Sequence, residues 1–481
     1  MSAPSTSKLA VLKVFALLFS SKWIKDWQKQ WSAGEAQQVK KDSKEKPPQV
    51  EFRQRIYTLS LTLWYLIFQR LNADHSLDAV VTNLRHGGAD SLIKRGHKAK
   101  YRKASSNTSA YDQARQRLPL ELLQAALKHL STTLIRWVYP TGKGKPEPRK
   151  RVRQIVDGST LAMLATPALR KDYSSASNKC GPTDWCIMRI VVGFCALSGA
   201  VLNTMDGAVT LSEQALFWRM LVEGAQWTIW VGDRNFGIWS VVAQARRYDQ
   251  DVVVRLTKAR AQRLKRNHPW RSGDDIPVEW SPSKHDQSPP GTQRSTVSGR
   301  LIYVRINRQG KFIDLWLFTT LDATDYPVAL LVEWYGERWQ AELNFRSLKT
   351  QMQLAELNVR SPEMARKEFY AGLLAYNLVR AVMWQAGEKL AGGIGVLSYT
   401  QARRVLVEYL RDWGRGLVAQ DRNLDSWSRR LVEEITQQTL PKRKRKRPSE
   451  MRRVRCRSQK FPKFRGDRAI ARARYMKTQS L

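Results

Sequence analysis

The spacing of apolar positions changes twice along the chain, and the changes divide it. From about residue 51 to 138 the apolar residues recur at mixed intervals of three and four, as in "RIYTLSLTLWYLIFQRL" and, after Pro119, in "LPLELLQAALKHLSTTLIRWV". That period predicts amphipathic helices with one buried face. Beyond residue 151 the apolar runs become short and β-branched: "RVRQIVD", "CIMRIVVGFCAL", "QWTIWVGD" and "DVVVRLT". Helical patterns near 211–224 and 236–248 separate them. Strands alternating with helices predict an α/β layer architecture. The rhythm breaks at 261–320, where the loop-like "SPSKHDQSPPGTQRSTVSG" precedes "LIYVRIN" and "FIDLWLFTTL", the pattern of a β insertion. A long helix is predicted from about Asp325 and a second after Pro362. Shorter ones follow near 398–412 and 424–439.

Polar segments mark the joints. "KLAVLKVFALLF" (Lys8–Phe19) reads as an amphipathic helix, because Lys13 interrupts its apolar run and no small-residue cleavage site follows. "VKKDSKEKPPQVE" and "YPTGKGKPEPRKR" read as linkers. The expected organisation is a helix and linker over 1–50, a helical domain over 51–138 and the first part of an α/β core over 151–260. The insertion covers 261–320, the last core helices 321–390, and a helical region with a basic tail 391–481.

Charge changes the picture most. Lys and Arg number 82 against 42 Asp and Glu, a formal net charge of +40. A polyanionic partner follows, since each phosphate neutralised by a cation releases a condensed counterion. No uninterrupted apolar run reaches the ~18 residues of a membrane span. A hydrophobic content of 42% with 18 Trp excludes a disordered composition. Four cysteines are too few for a disulfide framework, and Cys180 and Cys186 lack the second pair that zinc needs, so a reduced, cytoplasmic chain is expected. Within the helical domain, residues 85–118 are dense in Arg, Lys, Ser and Asn. These groups suit phosphate and base-edge contacts, which makes 51–138 the expected DNA-binding domain; the alternative is a solvated surface.

Two acids close apolar runs, where an unpaired charge is costly: Asp157 in "RQIVDGST" and Asp233 in "WTIWVGDRNFG". Ligands in open α/β sheets bind at the carboxyl ends of strands. The residues after each acid, Gly158–Thr160 and Arg234, Asn235 and Gly237, suit tight turns or phosphate contact, so a turn-forming Asp is the competing reading. A third charged locus is "YGERWQAELNFRSLK". Arg338, Glu342 and Lys349 lie 3, 7 and 14 residues after Tyr335. On a regular α-helix the four share a sector of roughly 60°. That face is either an exposed salt-bridge face or one wall of a site. Three carboxylates from separate segments could hold two divalent ions for in-line attack on a phosphodiester, and oxygen ligands favour Mg²⁺ or Mn²⁺ over zinc. Arg338 and Lys349 would clamp phosphates, with Tyr335 bonding or stacking nearby.

The spacing Y-(2)-R-(3)-E-(6)-K at Tyr335, Arg338, Glu342 and Lys349 resembles the motif of the insertion sequence 4 family of bacterial DDE transposases. "LTLWYLIFQRLNADHSLDAVV", "SAYDQARQRLP", "VDGSTLAM", "GDRNFG" and "SPEMARKEFYAGLLAYNLVRAVM" resemble that family as well, so the likeness covers roughly 50–385. It implies a ribonuclease-H-like core with a β insertion ahead of the last acid, and a metal-binding triad of Asp157, Asp233 and Glu342. It further implies cut-and-paste chemistry on double-stranded DNA: nicking at terminal inverted repeats, a hairpin intermediate, and joining of the 3′-OH to target DNA by a homodimer, near the nucleoid. Trp339 matches an aromatic near the flipped hairpin base in relatives, although it could equally be a core residue. Both acid contexts depart from the commoner family wording, and the tail after 441 matches only loosely. A non-catalytic, domesticated DNA-binding descendant and another nuclease on the same fold stay as alternatives.

Overall fold

Ten strands, counted among the described residues of the computed structural model, form a single sheet. The described residues are 11–20, 22–31, 56–140, 147–178, 181–265, 269–289, 291–308, 311–417, 423–441, 467, 469–470 and 472–473. The first linker, part of the second, Cys180 and most of the basic tail lie outside them. Met1–Leu440 and Pro441–Leu481 are two compact units, and the sheet belongs to the first.

The strands are β1 (Arg153–Leu164), β2 (Ser175–Asn178), β3 (Gly181–Cys195), β4 (Val201–Ala208), β5 (Ile229–Gly232), β6 (Asp251–Arg255), β7 (Asp274–Trp280), β8 (Val297–Arg308), β9 (Lys311–Thr319) and β10 (Glu356–Leu357). Their order is β2-β3-β1-β5-β6-β9-β8-β7, with β4 on β3 and β10 on β1. β1, β5 and β6 are parallel, β3 runs against β1, and β4 against β3. The mixed α/β layering anticipated from the alternation of runs is what the chain adopts. The inserted strands do not form a layer of their own. β9 pairs antiparallel with β6, Val253 opposite Thr319, and extends the main sheet.

Period-two alternation explains both faces. Ile155, Leu161, Met163, Ile229, Val231 and Val253 enter one core, under the helix Pro362–Gly387. Val156, Trp230, Val252 and Val254 enter the other, under the helices Glu213–Glu223 and Trp239–Arg247. The first core also takes in the helices Leu59–Leu71, Leu77–Arg85 and Leu120–Val138 from the N-terminal region. Thr58 and Ser76 cap two of these, each side-chain oxygen accepting a backbone N–H of the first turn.

A buried ion cluster stands where these helices meet Pro362–Gly387. Glu368 accepts from Arg70 Nε at 2.6 Å and also bonds Arg115. Burial opposes ionisation, yet the two guanidiniums hold this carboxyl below its ordinary range. Arg115, part of the basic 85–118 stretch, is therefore turned inward, whereas Lys94, Arg95, Lys100, Arg102 and Lys103 are exposed.

The helix predicted from Asp325 begins at Val328, after Pro327, and is not one regular helix. An α segment Val328–Gly336 tightens to a 3₁₀ turn over Glu337–Trp339, resumes as α over Gln340–Arg346 and widens to a π turn over Ser347–Gln351.

Candidate active site

The sheet brings two of the sequence-derived acids together. β1 and β5 run in parallel and pair as far as Val156 opposite Gly232, so the next residues, Asp157 and Asp233, are neighbours where β5 ends. Asp233 stands at a strand end as anticipated. Asp157 does not. β1 continues seven residues further, to Leu164, because β3 keeps pairing with it through Trp185, and Gly158–Thr160 are strand rather than turn. Gly158 N–H donates to Asp157 Oδ1 at 2.9 Å, and Asn235 N–H donates to Asp233 Oδ1 at 2.8 Å. Burial, reinforced by the Asp233 charge, pushes the Asp157 carboxyl up to about 6, against the lowering effects of the Gly158 N–H and Arg338. Gly237 lets the turn after Asp233 close on β6, since a Cβ there would lie 2.2 Å from the Arg255 carbonyl oxygen.

The helix supplies the second wall. Arg338 Nη1 lies 3.9 Å from Asp157 Oδ2, and Arg338 Nη2 lies 3.4 Å from Glu342 Oε1. One guanidinium thus links the sheet acid to the helix acid. Burial raises the Tyr335 phenol, while Arg338 and Arg255, the last residue of β6, lower it by charge and hydrogen bonds. The wall is fastened to the start of β1 by Arg153, which bonds Glu337 Oε2 at 2.7 Å and lies 4.4 Å from the Trp334 ring centroid. Phe345 packs edge-on against Phe194 of β3, 5.1 Å between centroids. Trp339 is 54% exposed, which removes the reading of it as a core residue. Lys349 falls in the π turn, half-buried, and Arg234 is exposed directly after Asp233.

A divalent cation fits the sheet pair. Two oxygen donors adjoin, one raised by burial and by the other's charge, a strain that bound positive charge would relieve. Glu342 stands apart, its side chain 65% exposed and within reach of Arg338. Among the described residues no three His, Cys, Asp or Glu side chains are grouped to hold a metal.

The family model described as "Transposase DDE domain" matches residues 148–378, a span that includes β1, β5 and the whole Tyr335–Lys349 segment. Transposase InsG for insertion sequence element IS4 of Escherichia coli (strain K12) is 40% identical over 98 residues, 20% of this chain and 22% of that protein. Over that domain the chain is similar to DDE transposases, the insertion sequence 4 transposase among them. The transposase for insertion sequence element IS421 of Escherichia coli is 36% identical over 63 residues, 13% of this chain and 17% of that one. The matched segments thus span about a fifth of the length of these curated relatives. Among solved structures, a piggyBac transposase synaptic complex with hairpin DNA aligns over 90% of this chain and 87% of its own, at 12% identity and a TM-score of 0.41.

Three residues at the site were not singled out from the sequence for what they do there: Glu213, Asn235 and Arg255. Asn235 reads in the sequence as a turn former or a phosphate contact. Glu213 opens a helix, where an acid is ordinary complement to the helix dipole and carries no signal. Arg255 closes an apolar strand, and an Arg at a β6-type terminus looks like solvent exposure until Tyr335 is brought against it.

Proposed function

We propose that the chain binds the terminal inverted repeats of a mobile element, cleaves DNA there and joins the freed 3′-OH to target DNA. The observation that carries this reading is the juxtaposition of Asp157 and Asp233 at the end of β5, with Arg338 spanning from Asp157 to Glu342. The order β4-β3-β1-β5-β6, with β3 alone reversed among those five strands, supports a ribonuclease-H-like core, and β7–β9 fall where an insertion ahead of the last acid is expected.

Asp157 and Asp233 would hold divalent metal, Mg²⁺ or Mn²⁺, with Glu342 completing a two-ion site. Bound metal supplies positive charge where an oxygen nucleophile attacks phosphorus and where the leaving oxygen departs. The chain's own residues do the rest. Arg338 and Lys349 take phosphates flanking the scissile bond, Tyr335 orients Arg338, and Arg234 meets the backbone beside Asp233. Trp339, exposed on its 3₁₀ turn, offers a stacking face for a base extruded at a hairpin. The exposed cations of 94–103 suit phosphates of the end, with residues 51–138 as the domain that presents them. Two ends require two active sites at synapsis, which a homodimer provides.

The test is Mg²⁺-dependent cleavage of end-containing duplex by Asp157→Ala, Asp233→Ala and Glu342→Ala, each expected to lose at least about a thousandfold in rate while still shifting DNA in a binding assay. Full cleavage by any of them would sink the triad. Arg338→Ala and Lys349→Ala are expected to weaken end positioning; unchanged cleavage and unchanged binding in both would remove the clamp.

A further inference from the structure

A fourth carboxylate adjoins the acid pair from the opposite face of the sheet. Glu213 is the first residue of the helix Glu213–Glu223, whose start is fixed by Ser212 Oγ accepting from Ala215 N–H at 3.1 Å. That helix buries Leu216, Phe217, Met220 and Leu221 in the core shared with Val156, away from the Tyr335–Lys349 wall. Its first turn grips the loop after β5. Asn235 Nδ2 donates to Glu213 Oε2 at 2.6 Å, and Gln214 Nε2 donates to Asn235 Oδ1 at 2.6 Å and to its carbonyl at 3.0 Å. The same Asn235 donates its backbone N–H to Asp233 Oδ1 at 2.8 Å. A continuous hydrogen-bonded path therefore runs from Glu213 through Asn235 to the second acid.

Glu213 also reaches the first acid's strand. Gly158 points to the same core as Val156, and a Cβ built there would lie 2.2 Å from Glu213 Cδ. The carboxylate occupies the space that any other side chain at 158 would fill, one residue from Asp157. Burial, with the charge of Asp233, raises the Glu213 carboxyl, and Glu213 adds to what raises Asp157.

We propose that Glu213 is a positioning residue for the metal-holding acids, fixing the Asp233 carboxylate through Asn235 and seating against β1 at Gly158. The proposal rests on the reading of Asp157 and Asp233 as metal ligands. Groups that orient a ligand from behind typically govern metal affinity by 10–100-fold, so the effect belongs to ion binding before it belongs to catalysis.

The experiment titrates Mn²⁺ into the full-length, DNA-free protein by calorimetry and, separately, measures the Mg²⁺ concentration that half-saturates cleavage. Glu213→Ala is expected to weaken Mn²⁺ binding about tenfold and to shift the Mg²⁺ requirement by a similar factor, with a smaller loss of rate at saturating Mg²⁺. Glu213→Gln, whose amide oxygen still accepts from Asn235, retains affinity within about threefold. Gly158→Ala changes no residue of the path but displaces the flexible end of Glu213, so it lowers Mn²⁺ affinity as Glu213→Ala does while melting like the unaltered protein. Unchanged Mn²⁺ affinity in Glu213→Ala or in Gly158→Ala, or equal losses in the Gln and Ala variants, overturns the proposal. Asp233→Ala separates the two levels: if it abolishes Mn²⁺ binding and Glu213→Ala does not weaken it, the positioning role fails alone. If neither alters Mn²⁺ binding, the metal reading fails and takes the positioning role with it.

Discussion

Asp157 and Asp233 stand on a sheet, and Glu342 stands on a helix whose hydrogen-bonding period changes three times between Val328 and Gln351. The sheet acids are half-buried, fixed by the register of β1 on β5, and each accepts a backbone N–H. Glu342 is mostly exposed and is tethered at 3.4 Å by one guanidinium. Strand pairing fixes the two sheet acids through backbone register, whereas the helix is held to the sheet through side chains, Phe345, Glu337 and Trp334 among them. Under the proposed function, the difference implies an order of assembly in which the sheet pair is built by folding and the helix acid joins once substrate phosphates compete for Arg338.

The largest effect that could break this comparison is on metal binding without DNA. Glu342→Ala and Asp233→Ala should both lose cleavage by at least about a thousandfold, yet Mn²⁺ affinity of the DNA-free protein should fall strongly only for Asp233→Ala. Equal losses of Mn²⁺ affinity would show that Glu342 is already in place, and the distinction between the walls would go.

A stability measurement sharpens the sheet side. Unfolded, the Asp157 carboxyl releases its proton near 3.8; folded, it keeps it to about 6. The raised value means that the folded state is penalised as pH climbs through that window, fully so above 6, and not at all below 3.8. At ~1.4 kcal/mol per unit this is on the order of 3 kcal/mol at pH 7.5. Asp157→Asn should therefore be more stable than the unaltered protein by about that amount in chelator at pH 7.5, and the gain should shrink toward pH 4. Denaturant unfolding at the two pH values measures it. A gain independent of pH would point to packing instead of charge.

Trp339 probes the helix side. At 54% exposed it contributes little to the fold, so Trp339→Ala should change stability by no more than about 0.5 kcal/mol. Stacking of an extruded base is worth about 1–3 kcal/mol, so hairpin product on denaturing gels should fall by about tenfold and recover in Trp339→Phe. A large drop in melting temperature, or hairpin yield unchanged, would return Trp339 to a packing role.

Which of these features the sequence could disclose follows from how local their causes are. Short, β-branched apolar runs at Ile155–Val156, Ile229–Val231 and Val252–Val254 are a property of the strand itself, and they mark β1, β5 and β6 in the sequence. The extension of β1 past Asp157 was hidden because "GST" has turn chemistry; only the long partner β3, pairing down to Trp185 opposite Leu164, keeps those residues extended. The helix-wheel reading of Tyr335–Lys349 assumed 100° per residue, and the 3₁₀ and π turns break that rule on either side of Gln340–Arg346. Glu213 was invisible for a different reason. Its meaning lies in a missing side chain at Gly158, 55 positions earlier, and no local pattern couples the two.

The smallest effect lies between the walls, at Arg234. It follows Asp233 directly and is exposed, on a turn fixed from below by Asn235 and Gly237. An exposed cation on a rigid turn meets phosphate without reading a base, so it should add affinity for every duplex alike. Arg234→Ala is expected to weaken binding only a few-fold, equally for end-containing and random DNA, and to reduce the slope of log K against log salt by about 0.9. Filter binding between 50 and 200 mM salt, a range over which such slopes are resolved, measures both. A loss confined to end-containing DNA would mean that the turn beside Asp233 reads sequence. The sheet wall would then do more than hold metal, and discrimination between ends and other DNA would reside partly at the acids themselves.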